Sequence, residues 1–474
     1  MDSRNARQVA LYTLGCKLNY VESSMIGSAF AQRGFDVVES GSHADVIVVN
    51  SCTVTENADR ECRQIVRRAL RANPTAFVIV TGCYAQLQPE EIASIDGVDL
   101  VLGSAEKFRV FDFEKEFRKG AGPRVEVSDI NGADSFGPAA SGAIDARTRA
   151  FLKVQDGCDY NCSFCTIPLA RGASRSQSID DAFRQASDLV AAGYREIVLT
   201  GVNVGDFGRN RGETFFDLLL HLHGVPSLER LKISSIEPNL LEDRIIDLAK
   251  ESDRLVPHFH LPLQSGSDEI LGSMRRRYRS AQYRERVERI IERMPDASVG
   301  VDVIVGFPGE SNEHFDQTHK FLHELPVAYF HVFTYSEREN TPAGNAGNQV
   351  PVEERRRRTR ILRTLSEKKR SEFVNRFRGQ MRRALFERGD HGGMSVGWTD
   401  NYIRVALPFD PSHENNIVDV VIGDFNGEYS SGRLSTVTNT RVRSTKIPRV
   451  IPGRSQASID SVDSTLHSPR CTAD

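Results

Sequence analysis

The sequence has 474 residues, of which 39% are hydrophobic and 26% are charged, and its formal net charge is −3. At about 150 residues per domain, this length predicts about three domains. The chain has no long apolar run and its first residues are polar, which argues against a membrane span or a secretory signal and predicts a cytoplasmic protein.

The first part of the chain alternates between predicted strands and helices. Short apolar runs rich in β-branched residues, typical of strands buried on both faces of a parallel sheet, occupy residues 9–14, 46–50 and 77–81. Helical spacing occurs between them, at residues 22–33 and 58–72. This alternation predicts the α/β fold class, with an open parallel α/β domain over residues 7–118.

A second series of strand-like segments runs through the middle of the chain. The predicted strands cover residues 151–155, 196–200, 230–234, 259–263, 299–305 and 330–334. Helical segments such as residues 178–192 and 282–293 separate them. Six strand–helix repeats predict a partial (βα)6 barrel. With one long basic helix over residues 350–378, this domain spans residues 148–378.

Three stretches differ from these two domains in composition. Residues 119–147 are rich in Gly, Ala, Ser and Asp and are predicted to be a linker or exposed flap. Residues 379–436 are predicted to form a small antiparallel β domain, with short strands at 382–387, 402–407 and 417–422. Residues 437–474 lack periodicity and are predicted to be a disordered tail.

The charge is unevenly distributed along the chain. Residues 353–388 contain 14 Arg or Lys against 5 Glu, and residues 271–293 contain 8 Arg against 3 Glu. Two basic segments in a slightly acidic chain predict an anionic partner, although solvated helix faces explain the same composition equally well.

Three cysteines lie close together just after the first predicted barrel strand, in Cys158-Asp-Tyr-Asn-Cys162-Ser-Phe-Cys165. In a reducing compartment such cysteines indicate metal binding rather than disulfides. A structural zinc site normally takes four ligands, and no fourth Cys or His lies nearby. Three thiolates on a four-iron cluster would leave one iron open to a substrate.

A second set of three cysteines is spread over the N-terminal domain. Cys16, Cys52 and Cys83 each follow the C-terminal end of a predicted parallel strand. That edge is where open α/β sheets gather ligands, so the three residues are expected to meet in space. Gly15 and Gly82 would let the backbone turn tightly beside them. The alternative is three buried cysteines that act as small hydrophobic side chains.

The two remaining cysteines have no such context. Cys62 lies in the middle of a predicted helix, and we interpret it as a packing or surface residue. Cys471 lies in the predicted tail and is interpreted as incidental.

Both cysteine sets, in this order, resemble the radical S-adenosylmethionine methylthiotransferases over about residues 8–436. Further segments similar to that family are Thr200-Gly201-Val202-Asn203, Ser234-Ser235-Ile236-Glu237-Pro238, Leu261-Pro262-Leu263-Gln264-Ser265-Gly266-Ser267 and Asp302-Val303-Ile304-Val305-Gly306-Phe307-Pro308-Gly309-Glu310. The segments Thr13-Leu14-Gly15-Cys16-Lys17-Leu18-Asn19 and 335–343 are similar to the branch that acts on threonylcarbamoyladenosine in tRNA. The branch that modifies a ribosomal protein usually has His-Ala where this chain has Ser265-Gly266.

The resemblance implies two four-iron clusters and S-adenosylmethionine as cofactors. Cys16, Cys52 and Cys83 would hold an auxiliary cluster, and the second cysteine set a radical-generating cluster whose open iron binds S-adenosylmethionine. A reduced flavodoxin- or ferredoxin-type protein would donate the electron. Two molecules of S-adenosylmethionine would then convert N6-threonylcarbamoyladenosine-37 of tRNA to its 2-methylthio derivative. The carbon attacked carries a C–H bond too weakly acidic for a general base, so a radical is needed.

Candidate contacts to S-adenosylmethionine follow from the same resemblance. Phe164 holds the aromatic position before the last cysteine, which in the family lies near the adenine. The other candidates lie at predicted strand ends, where barrel loops bind cofactors: Gly201, Asn203, Glu237, Gln264 and Ser265. His260, beside a predicted strand, is interpreted as a packed barrel residue.

The last domain resembles the RNA-binding barrel called TRAM. Trp398, Tyr402 and Phe409 lie among polar turns and would stack on bases of the tRNA anticodon stem-loop, while residues 355–358 would contact its phosphates. A small hydrophobic core is the alternative for these aromatic residues. The partner predicted here is RNA rather than DNA or a membrane.

Three other functions remain open. The first is methylthiotransfer to N6-isopentenyladenosine-37, which is the same chemistry on a different base. The second is a non-catalytic RNA-binding protein with structural iron–sulfur centres. The third is a radical enzyme that inserts no sulfur, against which the N-terminal cysteine set argues.

Overall fold

The computed structural model describes residues 6–120, 122–132, 136–137 and 147–435. Its N-terminal unit is a single sheet of six strands, β1 (Gln8–Thr13), β2 (Asp36–Val38), β3 (Val46–Ser51), β4 (Phe77–Gly82), β5 (Leu100–Leu102) and β6 (Arg124–Glu126). The strand order is β2-β1-β3-β4-β5-β6, and every neighbouring pair is parallel. The predicted open parallel sheet is therefore confirmed.

Helices cover both faces of this sheet. They are α1 (Lys17–Ala31), α2 (Glu56–Ala72), α3 (Cys83–Leu87), α4 (Pro89–Ala93) and α5 (Val110–Phe113). Every side chain of β3 and β4 is buried, which explains their continuous apolar sequence. Helix α1 begins at Lys17, whereas the sequence predicted a start at residue 22. The sequence did not show the first turn because the buried residues of α1 include the polar Asn19 and Glu22, which hide the helical pattern of apolar residues.

The stretch 119–147 is not only a linker. Its residues 124–126 form β6 and extend the N-terminal sheet beyond residue 118. A strand of three residues, Arg-Val-Glu, is too short and too polar for its sequence to show a period of two.

The central unit is an open barrel. Its parallel strands are β7 (Arg149–Lys153), β10 (Glu196–Thr200), β11 (Arg230–Ile233), β12 (His258–Gln264), β13 (Ser298–Val305) and β14 (Tyr329–Thr334), and the short strands β8 (Gln155–Asp156) and β9 (Arg175–Ser176) pair antiparallel. Two three-stranded sheets, β7-β10-β11 and β12-β13-β14, are joined by parallel bridges between Leu231 and Leu255 and between Ser235 and His260. This is the predicted six-stranded partial barrel.

The barrel helices form its outer layer. They are α6 (Ile167–Arg171), α7 (Ile179–Ala191), α8 (Phe215–His223), α9 (Asp243–Glu251), α10 (Asp268–Ser273), α11 (Ser280–Arg293), α12 (Asn312–Glu324) and α13 (Val352–Asn375). Alternate strand residues, such as Leu231, Leu261 and Val301, join the main hydrophobic core under the helices. The residues between them, such as Lys232, point into the barrel lumen because successive strand side chains face opposite ways.

The N-terminal unit packs against the open side of the barrel. Tyr20 of α1 makes an edge contact with Phe151 of β7 at 5.7 Å between ring centroids, and Val21 packs against Phe151 and Val198. Ser104 Oγ donates to Ala170 O at 2.8 Å. The ends of the N-terminal strands therefore adjoin the barrel.

The C-terminal unit is a closed barrel with the order β15-β16-β17-β19-β18. Its strands are β15 (Met381–Phe386), β16 (Met394–Thr399), β17 (Arg404–Pro408), β18 (Ile417–Phe425) and β19 (Ser430–Leu434). The sequence analysis missed β16 and β19, which are rich in Gly and Ser. A Cβ on Gly397 would lie 2.8 Å from Leu385 O, so β16 needs a glycine for close packing rather than a β-branched residue.

The predicted tail, 437–474, lies outside the described residues, as does Cys471. None of the described helices combines the length and apolar character needed to cross a membrane.

Candidate active site

Three neighbouring strands of the N-terminal sheet end side by side, and a cysteine follows each of them. Cys16 is the N-cap of α1 after β1, Cys52 follows β3, and Cys83 opens α3 after β4. Gly15 has φ +89°, and a Cβ on it would lie 2.6 Å from Cys52 Cβ and 2.7 Å from Cys52 Sγ. Only glycine permits this approach, which brings the segment of Cys16 against Cys52.

The thiols of this set are free; Cys52 and Cys83 are buried, and Cys16 is exposed. Burial raises the pKa of Cys52 to about 12, and the neighbouring Cys83 and Cys16 act in the same direction. Burial also raises the pKa of Cys83. Neutral buried thiols become thiolate ligands when a metal displaces their protons. These two buried thiols, together with the exposed thiol of Cys16, fit a four-iron cluster with one iron left open.

The second cysteine set occupies the loop between β8 and α6. Arg276 Nη1 donates to Cys162 Sγ at 3.1 Å, and two backbone N–H groups of the loop donate to the Sγ atoms of Cys158 and Cys165 at 3.4 and 3.5 Å. Burial raises the pKa of Cys158 to about 11 and that of Cys165 to about 12. A donor aimed at each sulfur stabilises thiolate ligands, so this loop also fits a three-cysteine cluster.

Arg276 is a site residue that the sequence analysis did not single out. Its guanidinium pairs with the carboxylate of Glu237, one of the predicted cofactor contacts. It lies in the basic segment 271–293, where Arg286 and Arg289 both pair with Asp243. Most of this segment's charge is therefore balanced within the protein. No sequence signal separates Arg276 from its neighbours.

Asn203 and Glu237 lie together at the carboxyl ends of β10 and β11. The backbone N–H of Asn203 donates to Gln155 Oε1 at 2.9 Å, and its Oδ1 accepts from the backbone N–H of Glu237 at 3.3 Å. Asn203 Nδ2 is buried without a partner among the described residues. Gly201 packs closely here, since a Cβ on it would lie 2.9 Å from Gln155 Oε1. An unused buried donor beside the cysteine loop fits a ligand contact.

The other predicted cofactor contacts differ in their placement. Phe164 packs against Phe307, with 6.4 Å between ring centroids. Gln264 ends β12 with φ +70°, a conformation that is uncommon for a residue other than glycine. Ser265 is fully buried, and its hydroxyl lies 3.2 Å from Thr318 Oγ1. The hydroxyl of Ser265 is therefore engaged under α12 rather than directed at the cysteine loop.

A buried ion network joins the two cysteine sets. Glu22 of α1 pairs with Arg171 at 2.9 Å and with Lys107 at 2.7 Å. Asp156, next to the cysteine loop, pairs with Arg171 at 3.0 Å and with Lys153 at 2.8 Å. Burial alone would raise the pKa of Glu22, but Arg171, Lys107 and Lys153 outweigh it and hold that pKa at about 2. Three cations thus surround two carboxylates between the domains.

His260, interpreted from the sequence as a packed barrel residue, lies inside the barrel. It faces the lumen, where its Nε2 lies 3.0 Å from Asp302 Oδ1 and its Nδ1 lies 2.7 Å from Ser235 Oγ. His331 is beside it, at 5.9 Å between ring centroids. The lumen therefore carries polar and charged groups below the cysteine loop.

The prediction that residues 355–358 contact phosphates is wrong for two of the four arginines. Arg355 and Arg358 are buried and pair with Glu337 at 2.6 Å and with Glu310 at 2.7 Å. The other two, Arg356 and Arg357, are exposed and pair with acidic residues of the same helix. Two of the four arginines therefore attach α13 to the barrel, and the other two face solvent.

Tyr402 is not free to stack on a base. Its hydroxyl donates to Glu196, and Lys232 Nζ lies 2.9 Å from its ring centroid. Trp398 packs 5.6 Å from Tyr402 and donates from Nε1 to Glu387 Oε1 at 3.1 Å. Both rings connect the C-terminal barrel to the amino ends of the central strands. Phe409 lies in the turn after β17.

Cys62 is fully buried in α2 and packs in the same hydrophobic cluster as Cys52. It lies within a helix rather than at a strand end, in agreement with its interpretation as a packing residue.

Comparisons with known proteins agree with this architecture. Residues 8–103 match the description "Uncharacterized protein family UPF0004", and residues 152–322 match the Radical SAM superfamily. The solved structure of the radical S-adenosylmethionine methyltransferase TsrM from Kitasatospora setae, with tryptophan substrate and an S-adenosylmethionine analogue bound, is similar with a TM-score of 0.53. That alignment has 15% identity and covers 72% of this chain and 75% of TsrM. This likeness supports the fold.

Curated relatives cover nearly the whole chain. The threonylcarbamoyladenosine tRNA methylthiotransferase MtaB of Bacillus subtilis is 37% identical, over 92% of this chain and 98% of the relative. The MtaB of Aquifex aeolicus is 39% identical, over 80% of this chain and 92% of the relative. The tRNA-2-methylthio-N(6)-dimethylallyladenosine synthase of Bartonella henselae is 34% identical, over 82% of this chain and 88% of the relative.

Proposed function

This chain belongs to the radical S-adenosylmethionine methylthiotransferases, and from that premise we propose that it converts N6-threonylcarbamoyladenosine-37 of tRNA to the 2-methylthio derivative. The observation that carries the proposal is the presence of two separate cysteine triads, Cys16–Cys52–Cys83 and Cys158–Cys162–Cys165, at adjoining edges of two α/β units. The reaction needs one centre that abstracts a hydrogen atom and another that supplies sulfur, and each centre needs its own set of cysteine ligands. The relatives named MtaB support the choice of base.

We place one four-iron cluster on each triad. When bound, the cluster in the barrel supplies the electron that cleaves S-adenosylmethionine, and the auxiliary cluster supplies sulfur. Arg276 and the loop N–H groups hold the barrel thiolates in place by donating to their sulfurs. Asn203 and Glu237 are the proposed polar contacts to S-adenosylmethionine, with Phe164, Gly201 and Gln264 around them. We further propose a reduced flavodoxin- or ferredoxin-type electron donor.

We assign the domains accordingly. The methylthiotransferase domain takes in β6 and ends near residue 126, the radical domain spans residues 148–378, and the TRAM-like domain begins at residue 379. The C-terminal barrel touches the amino ends of the central strands: Arg230 donates to Trp398 O at 2.9 Å, and Arg149 pairs with Glu387 at 3.0 Å. Deleting this barrel would therefore expose buried charges, so its role is better tested by single substitutions.

Nucleoside analysis of a strain that lacks this protein tests the function directly. We expect mass spectrometry of its tRNA to show loss of the 2-methylthio form of threonylcarbamoyladenosine and accumulation of the unmethylthiolated nucleoside. Expression of the chain should restore the product, and the Cys158→Ala variant should not. Loss of 2-methylthio-isopentenyladenosine instead would show that the protein acts on isopentenyladenosine. No change in either nucleoside would favour the non-catalytic RNA-binding function.

A basic groove between the central and C-terminal barrels is the proposed RNA contact. It has a cavity of about 250 Å³, and its lining includes Arg147, Arg149, Phe151, Arg388 and His391. Phe151 belongs to the strand side that faces the lumen, so the groove adjoins the proposed active site. Arg388 is exposed here and forms no ion pair with any described residue.

We expect Arg388→Ala to weaken tRNA binding uniformly across sequences and to reduce the slope of log affinity against log salt by about one, because one phosphate contact is lost. Filter binding across a salt series measures both. Arg184→Ala is the matched control, since Arg184 is exposed on α7 and, among the residues the structure describes, pairs only with Asp181. An unchanged affinity and slope in the Arg388 variant would place the RNA elsewhere.

A further inference from the structure

The loop after the last strand of the central barrel reaches the cysteine loop between β8 and α6. This bridging loop comprises residues 335–344 and connects β14 to α13. The backbone N–H of Ala343 donates to Ser163 O at 2.9 Å, and Ser163 directly follows Cys162. Ala343 also belongs to the hydrophobic cluster against which Phe164 packs. One end of the bridging loop is therefore fixed to the segment that carries the barrel thiols.

The same loop holds the N-terminal unit through Arg338. Its Nε donates to Thr53 O at 3.0 Å, and its Nη2 donates to both Thr53 O and Thr53 Oγ1. Its Nη1 pairs with Asp59 of α2 at 2.7 Å. Because Thr53 directly follows Cys52, the guanidinium binds the residue next to a ligand proposed for the auxiliary cluster.

These contacts are largely shielded from water. Thr53 is 3% exposed, and the side chains of Arg338 and Asp59 are 12% and 7% exposed. A guanidinium that donates to a carbonyl, a hydroxyl and a carboxylate at once has a fixed orientation, because its donors lie in one rigid plane. A lysine in its place would keep the charge for Asp59 but would lack this planar fork of donors.

The bridging loop itself has a shape fixed by hydrogen bonds. Arg338 O accepts from the backbone N–H of Thr341 at 2.9 Å and from the hydroxyl of Thr341 at 2.7 Å. The same hydroxyl oxygen accepts from the backbone N–H of Gly344 at 3.1 Å. Near the start of the loop, Ser336 Oγ accepts from the backbone N–H of Glu56, the first residue of α2, at 3.1 Å. The loop therefore keeps its two attachment points at a set separation.

We propose that Arg338 is a positioning residue for methylthiotransfer, which fixes the Cys52 segment, and with it the auxiliary cluster, against the cysteine loop of the barrel. The inference rests on the proposed function, in which the radical and the sulfur must reach the same carbon atom. The pair of Glu22 and Arg171 holds the helix that follows Cys16, and Arg338 holds the segment that follows Cys52. Loss of Arg338 removes no cluster ligand, so both clusters would still assemble, but the distance between them would vary.

The test measures how well the two sites work together. In the proposed reaction, one S-adenosylmethionine is cleaved to 5′-deoxyadenosine for each product formed. We expect the Arg338→Ala holoenzyme to keep its full iron content and to cleave S-adenosylmethionine at the wild-type rate in the absence of tRNA. Its kcat for methylthiolation should fall by roughly 10- to 100-fold, since a misplacement of about 1 Å can reduce a rate by that much. The amount of 5′-deoxyadenosine formed per product should rise accordingly, and mass spectrometry measures both compounds.

The magnetic interaction between the two reduced clusters is a readout that does not depend on turnover. Electron paramagnetic resonance of the doubly reduced holoenzyme should show a spin–spin interaction that becomes weaker or more broadly distributed in Arg338→Ala. Arg338→Lys keeps a cation beside Asp59 and should restore part of this interaction and part of the product yield. Thr53→Val removes only the hydroxyl partner and should produce a smaller change in the same direction.

Glu339→Ala is the matched control, since Glu339 is exposed and adjacent to Arg338 in the bridging loop. This variant should match the wild type in every readout. Loss of iron from both Arg338 variants would overturn the inference, because Arg338 would then be needed for cluster assembly rather than for position. An unchanged ratio of 5′-deoxyadenosine to product in Arg338→Ala would overturn it too, while leaving the proposed function intact. A wild-type holoenzyme that carries both clusters but methylthiolates no tRNA would instead overturn the proposed function.

Discussion

Replacing Cys158, Cys162 and Cys165 with alanine is expected to abolish both methylthiolated product and cleavage of S-adenosylmethionine, and to leave about half of about eight irons per chain. The physical reason is that the three sulfurs share one loop, so no other described cysteine can take their place at that cluster. Replacing Cys16, Cys52 and Cys83 should remove the other half of the iron and abolish the product. Iron and sulfide analysis, electron paramagnetic resonance and product assays measure these outcomes.

Cys62→Ala is the matched control for the cysteine prediction. Cys62 packs in the same cluster as Cys52, but it lies mid-helix rather than at a strand end. Its variant should keep the full iron content and turnover. Loss of iron in this variant would mean that Cys62 is a ligand, and cleavage of S-adenosylmethionine by the first triple variant would show that the radical cluster is assigned to the wrong loop.

Glu22→Gln is expected to destabilise the folded protein by about 3–5 kcal/mol, since breaking a buried ion network leaves uncompensated charge. The substitution keeps the size of the side chain but leaves Arg171, Lys107 and Lys153 with Asp156 as their remaining carboxylate partner. Glu22 has no exposed surface, so water cannot solvate the cations that lose its carboxylate. Chemical denaturation of the wild type and the variant under anaerobic conditions measures the difference.

The pH dependence of Glu22 has a definite sign. Its pKa is held at about 2, below the ordinary value of 4.5, so its contribution to stability is present above the ordinary value and is lost as pH falls toward about 2. Glu61→Gln serves as the control because Glu61 is exposed on α2, and it should change stability by less than about 0.5 kcal/mol. A Glu22 variant as stable as this control would show that the network does not hold the two domains together.

The position of this network links stability to function. Glu22 and Asn19 follow Cys16 on α1, and Arg171 ends α6 shortly after Cys165. Arg171 Nη2 donates to Asn19 Oδ1 at 2.6 Å. A single guanidinium thus connects the segments that carry the two proposed clusters. The catalytic radical and the sulfur source must face the same carbon atom, which requires such a rigid connection.

The sequence by itself determined the elements whose signal is local. Apolar runs fully buried in β3 and β4, and the repeated strand–helix alternation of the barrel, are periodic patterns that burial imposes on neighbouring residues. The cysteines could be placed at strand ends for the same reason, because a parallel sheet brings the carboxyl ends of its strands to one edge. Both predicted cysteine sets therefore follow from pattern, spacing and family resemblance.

Only the tertiary structure decided which polar side chains pair across the fold. Arg276 and Arg286 lie on one basic segment, yet one donates to Cys162 and the other pairs with Asp243. Tyr402 has a positive φ of 64°, its hydroxyl donates to Glu196, and Lys232 lies over its ring. Such roles depend on partners that lie 43 to 206 residues away along the chain. An arginine or a tyrosine looks the same in the sequence whether its side chain is buried and paired or exposed to RNA. Burial and distance, which no local pattern encodes, separate the two cases.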